Sequence, residues 1–188
     1  DETLVDLLRA IREAGAAAEV VSDGVGFHIE HMLANLGVTD LPVATNHSVV
    51  GDGGAGVTFP YGHPACLVCG TFKRERIRLH RAAGRAVVFV GDGPSDRYAA
   101  HHADVIFAKA SLASWCEVEN LPYEPWERLA DVGEWLEMAL MDGRLPGSAE
   151  AYPDWAADAR PEAESFICGP EVWERGRTVA GRAPGSVD

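Results

Sequence analysis

RAVVFVGDGPSD, residues 85–96, is the stretch on which the reading of this chain turns. Four apolar β-formers, Val87 to Val90, run into a Gly-Asp-Gly turn, and Asp96 follows Asp92 by four residues. A strand apolar on both faces marks a parallel sheet covered on both sides. In such sheets ligands bind at the carboxyl ends of the strands. Two carboxylates at that mouth offer hard oxygen ligands of the kind Mg²⁺ takes. They also suit a plain turn capping the next helix, and this stretch alone leaves both readings open.

Strands and helices alternate on either side of it. Thr3 with Asp6 makes a capping-box-like start, and Leu4, Leu7, Leu8 and Ile11 then repeat at helical spacing until Gly15. AAAEVVSDG reads as a short strand ending at Ser22, followed by a helix carrying Phe27, Ile29, Met32, Leu33 and Leu36. LPVATN and SVVGDGGAGVTF read as strands, the second a hairpin. TFKRERIRLHRAAG reads as a helix closed by Gly84, PSDRYAAHH as a helix, ADVIFA as a strand and PWERLADVGEWLEMALM as a closing helix. The pattern predicts an α/β, Rossmann-like core over residues 1–142, a parallel sheet with helices on both faces. Residues 143–188, rich in Pro, Gly, Ala and acidic residues, form an extension whose Trp155, Phe166 and Trp173 argue against a purely disordered tail.

Composition narrows the partners. A length of 188 residues with 47% apolar content suits one domain with a real core. A formal charge of −13 repels nucleic acid and anionic membranes, yet leaves a small anionic ligand free to respond to a local pocket. No apolar run approaches the ~18 residues of a membrane span, and with no signal peptide a reducing cytoplasm is the expected compartment.

Two further features belong with the paired aspartates. In VVSDG a hydroxyl stands at a strand end, with backbone N–H groups of the next helix behind it, which suits a phosphate oxygen. Ser22 serves equally well as that helix's cap. Lys73 is one of two lysines against fourteen arginines, and it sits in the first turn of its helix, where the macrodipole disfavours a cation. It is either a point charge for a phosphoryl oxygen or a solvated member of the basic run Lys73, Arg74, Arg76, Arg78. Together, the serine, the lysine and the carboxylate pair describe a pocket for a phosphate dianion beside a divalent cation. His63, Cys66 and Cys69 offer three zinc ligands with no clear fourth, or else reduced thiols. His101 and His102 read as helix-end residues, Lys109 as a structural ion pair at the rim, and Trp115, Cys116 and Tyr123 as packing at the sheet edge.

VVSDG, CGTFK and FVGDGPSD resemble the second, third and fourth motifs of the haloacid dehalogenase superfamily of phosphatases, closest to its phosphoserine phosphatase-like, methionine-salvage branch. The resemblance runs from about Asp1 to Met141. It implies that Ser22 binds the transferring phosphoryl group with backbone N–H groups of Asp23 and Gly24. It further implies that Lys73 bridges that group and the catalytic carboxylate, that Asp92 ligates Mg²⁺, and that Asp96 supports the metal shell and Lys73. Related chains often carry Cys-Gly-x-Cys-Lys where this one has Cys69-Gly70-Thr71-Phe72-Lys73. The DxDGT-like first motif, which supplies the aspartate nucleophile on the central strand, has no counterpart: no aspartate before Ser22 follows an apolar strand. The expectation is therefore the C-terminal portion of a Mg²⁺-dependent phosphomonoesterase acting on a small phosphorylated metabolite through an aspartyl-phosphate intermediate. It would lack the first strand and the cap, with an upstream segment or a partner chain completing the sheet, and would be inactive alone. The alternative is a catalytically degenerate relative that holds phosphate or a partner.

Overall fold

The computed structural model describes residues 1–51, 54–62 and 70–144. The amphipathic start forms α1 (Leu4–Glu13), followed by β1 (Val20–Val25), α2 (Gly26–Asn35), β2 (Val43–Gly51) and β3 (Gly54–Thr58). Further along the chain come α3 (Lys73–Ala82), β4 (Val88–Gly91), a 3₁₀ turn at Pro94–Asp96 and α4 (Arg97–Ala100). Then follow β5 (Val105–Ala108), α5 (Ala110–Glu119), β6 (Glu124–Pro125) and α6 (Leu129–Met141). The expected α/β architecture is present, and among the described residues no helix is long and apolar enough to cross a membrane.

The strands form two three-stranded sheets, β1-β2-β3 and β4-β5-β6. β1 pairs parallel with β2, and β4, β5 and β6 pair parallel in sequence order. Among the described residues only the β2–β3 hairpin is antiparallel. LPVATN and SVVG thus lie on one long strand, whose first half pairs with β1 and whose second half turns with β3.

Two helices tie the halves together. Leu7 of α1 packs with Phe107 and Val132, beside Val90, while Leu8 packs with Leu33 and Val38 beside Val43. Ile106 and Ala108 alternate with Phe107, so they face the other side of β5, where they join Ile77 of α3 with Ala99, Leu112 and Cys116. On that side Arg76 and His80 of α3 reach Glu19, next to β1, at 2.6 and 3.1 Å.

β5 is fully enclosed at Ile106, Phe107 and Ala108, but the stretch expected to be a buried strand is less covered. Val88 is 36% exposed, and Phe89 and Val90, like Val20 and Val21 of β1, are only half-buried. β4 has a ladder on one side, to β5, and β1 on one side, to β2. Their other edges leave backbone groups without a strand partner among the described residues.

Several local expectations are corrected. Thr3 makes no cap bond to α1; its Oγ1 accepts the Ala130 N–H at 3.0 Å and Asp1 accepts that of Leu129 at 2.9 Å, so the chain start caps α6. Trp115 and Cys116 lie on α5, where Cys116 is in the core and Trp115 stands edge-on to Tyr98 and His101. Lys109 makes no carboxylate pair among the described residues: Nζ donates to the Glu127 carbonyl at 3.0 Å and lies 3.4 Å from the centroid of the Trp126 ring. His102 is 4% exposed, and its burial, reinforced by Arg74, Arg78, His101 and Arg81, holds its pKa down to about 3. A neighbouring ion pair, buried Arg81 with Asp104, ties α3 to the turn before β5.

Candidate active site

β1 does not stop at Ser22. It runs on to Val25, with a slip in the ladder: Val21 lies opposite Ala44 and Val25 opposite Asn46, so four steps on β1 match two on β2. Ser22, Asp23 and Gly24 thus lie opposite the single residue Thr45, and the two-residue excess bulges out of the ladder at its carboxyl end, a common way of re-aiming side chains at sites. β2 fixes the bulge from behind. Thr45 Oγ1 donates to the Gly24 carbonyl at 2.6 Å, and Asn46 Nδ2 donates to the Asp23 carbonyl at 2.7 Å. In a planar trans peptide the N–H points opposite to the carbonyl, so the Gly24 N–H is turned away from Asn46. It donates to Ser22 Oγ at 3.1 Å. With its oxygen so engaged, Ser22 keeps its own proton to give to an outside acceptor. The helix-cap role is overturned: α2 begins at Gly26, its N-cap is Val25, and no side chain caps it.

Lys73 is the first residue of α3, as expected, but it is no solvated surface cation. Its side chain is 11% exposed and Nζ donates to Asp96 Oδ1 at 2.7 Å and to Ser95 Oγ at 2.9 Å. An ammonium has three N–H groups, so one remains for a further acceptor. Asp96 Oδ2 accepts the N–H groups of Asp92 and Gly93 at 3.0 and 2.9 Å, which closes the GDGPSD turn around the carboxylate. Gly91 is required there: a Cβ on it would lie 2.8 Å from both Cγ and Oδ2 of Asp96.

Asp92 is exposed, while its carbonyl accepts Ser111 Oγ at 3.1 Å and the Leu112 N–H at 3.2 Å from the start of α5. Trp126 Nε1 holds the Gly91 carbonyl at 3.1 Å. The two aspartates thus divide their work. Asp96 is committed to Lys73 and two amides, and Asp92 presents a carboxylate to solvent. Mg²⁺ keeps several waters and binds through one or two carboxylates plus substrate phosphate. Asp92 fits such an ion as a single ligand, with Asp96 behind it; among the described residues no group of three or more potential ligands gathers.

The three motifs are physically joined. Asp23 Oδ1 accepts both the N–H and the Oγ1 of Thr71, each at 2.6 Å, and Thr71 stands two residues before Lys73. Sequence reasoning missed Thr45, Asn46, Thr71 and Ser95, because their partners lie far along the chain; only Thr71, inside CGTFK, and Ser95, inside FVGDGPSD, had a motif to mark them. His63, Cys66 and Cys69, the zinc candidates, lie outside the described residues, as does the extension from 145 onward.

No family profile matches the chain. Curated relatives do. A protein from Exiguobacterium sp. is 28% identical over 138 residues, 71% of this chain and 62% of the relative. One from Brevibacillus brevis is 28% identical over 123 residues, 64% and 55%, and one from Bacillus cereus is 25% identical over 137 residues, 72% and 62%. All three are named 2-hydroxy-3-keto-5-methylthiopentenyl-1-phosphate phosphatase. The chain spans about three fifths of the length of these relatives. The likeness expected from VVSDG, CGTFK and FVGDGPSD is borne out: over about seven tenths of its length this chain is similar to the methionine-salvage phosphatases of the haloacid dehalogenase superfamily.

Proposed function

We propose that this chain supplies the phosphate-binding and metal-supporting part of a phosphomonoesterase that acts on a small phosphorylated metabolite. The observation that carries the reading is the buried Lys73–Asp96 pair at the sheet's carboxyl end, bonded through Thr71 and Asp23 to the Ser22 bulge. A solvated helix-start lysine has no need of such an arrangement.

In this reading Ser22 donates its proton to a phosphoryl oxygen, and the third N–H of Lys73 meets either a second oxygen or the attacking carboxylate. Asp96 holds Lys73 in place. Bound Mg²⁺, liganded by Asp92, supplies charge neutralisation at the transferring group. The nucleophile is an aspartate on a further strand, for which β1 and β4 each offer an edge without a ladder partner among the described residues. Attack by that carboxylate on phosphorus breaks the ester P–O bond, the leaving oxygen takes up a proton and departs as the alcohol, and water then hydrolyses the acyl phosphate to inorganic phosphate and the free carboxylate. The relatives' names make a methylthio-ketopentenyl phosphate the first substrate to try.

The test is hydrolysis of para-nitrophenyl phosphate by two purified proteins. A gene product carrying the additional strand turns over with Mg²⁺, and the 188-residue chain does not. Hydrolysis by the pure chain that disappears in Asp92→Asn overturns this division of labour.

A further inference from the structure

Asp23 brings a negative charge into a segment built to receive an anion. Facing the ligand, it would repel it. The structure instead turns the carboxylate away, onto Thr71, which is 1% exposed and gives it both its N–H and its hydroxyl. The Asp23 carbonyl is fixed by Asn46, and the loop that carries Thr71 approaches that same asparagine closely. A Cβ on Gly70 would lie 2.4 Å from Asn46 Nδ2. One aspartate is therefore held at its carbonyl by β2 and at its carboxylate by the residue two before Lys73.

We propose that Asp23 is a positioning residue that couples the Ser22–Gly24 bulge to Lys73, so that the hydroxyl and the ammonium meet a phosphate as one preformed unit. This rests on the phosphate-site reading above. Its physical basis is that a charge-assisted bond to a buried partner is about twice as strong as a neutral one. Three short links then run in series: Asn46 to the Asp23 carbonyl, Thr71 to the Asp23 carboxylate, and Lys73 to Asp96. Breaking the middle link leaves Ser22 on β1 and Lys73 on α3 with their own supports, but no longer in fixed relation. Preorganisation, not a contact with the ligand, is what the latch contributes.

The experiment is calorimetric titration of the full 188-residue chain with inorganic phosphate in the presence of Mg²⁺, arranged as a double-mutant cycle of Asp23→Ala and Lys73→Met. Asp23→Ala is expected to weaken phosphate at least about tenfold. Asp23→Asn, which retains an acceptor oxygen, recovers most of that loss. Added to Lys73→Met, Asp23→Ala weakens binding far less than it does alone, because the latch acts through the lysine. A merely structural role would lower the melting temperature and leave the two effects multiplicative. Should Asp23→Ala fold poorly, Thr71→Val removes the hydroxyl and keeps the amide, and is expected to show a smaller loss with the same dependence on Lys73. Multiplicative effects, or an Asp23→Ala chain that binds phosphate like the parent, overturn the coupling while the phosphate site stands. A parent chain that does not bind phosphate, or one indifferent to both Ser22→Ala and Lys73→Met, overturns the site and the coupling with it.

Discussion

A cation in the first turn of a helix works against the helix dipole, yet Lys73 stands there with only 11% of its side chain exposed. The conflict is resolved by Asp96, at 2.7 Å and itself buried. Removing one partner of such a pair strands the other charge, so Lys73→Met is expected to cost about 3 kcal/mol in urea unfolding. A surface lysine would cost within about 0.5 kcal/mol, and a value that small would show the pair to be solvated. His102 belongs to the same scale. Its folded pKa, about 3, lies below the ordinary 6.5, so the unfolded chain takes up its proton first as pH falls. Stability from this group is thus complete above pH 6.5 and is lost progressively toward pH 3. The slope difference between the parent and His102→Gln should approach about 1.4 kcal/mol per pH unit in that window. Parallel acid limbs for the two proteins would show that His102 does not carry the effect.

At the scale of elements, two short turns set the site, and each depends on a small residue or a distant partner. Gly91→Ala forces a methyl against the Asp96 carboxylate, 2.8 Å away, and is expected to cost about 1–3 kcal/mol in chemical unfolding and to weaken phosphate binding as well. A neutral outcome would mean that the turn relaxes freely. Thr3→Val removes an acceptor from the start of α6 and should cost about 1 kcal/mol, with no effect on phosphate. The turn after β4 was legible in the sequence because its chemistry is local: apolar strand, glycines, and Asp96 bonding amides three and four residues back. So was α3, bounded by Lys73 and by Gly84 at a φ of 74°. The β1 bulge was not, since its slip exists only against β2 and its locks come from Thr45, Asn46 and Thr71. Nor was the cap of α6, whose acceptors sit 127 and 128 residues earlier. α5 escaped notice because apolar residues surround it; its signals were Leu112 and Cys116 four apart and Asn120 closing it at a φ of 54°.

For the whole molecule, alternation of strands and helices predicted the α/β class and the parallel pairing. It did not predict two sheets joined by α1 and α3 rather than by a common ladder. Pairing is a property of neighbours, and the apolar pattern of VVFV promised a depth of burial that Val88 and Phe89 do not reach. A dianion and Mg²⁺ that share one site must strengthen each other's binding. The measurement is the affinity of the 188-residue chain for inorganic phosphate with and without Mg²⁺, in the parent and in Asp92→Asn. The account predicts that Mg²⁺ tightens phosphate by about tenfold or more in the parent, a coupling of ~1.4 kcal/mol, and that Asp92→Asn abolishes this gain. Phosphate affinity that ignores Mg²⁺ in the parent, or a gain that survives Asp92→Asn unchanged, would contradict it.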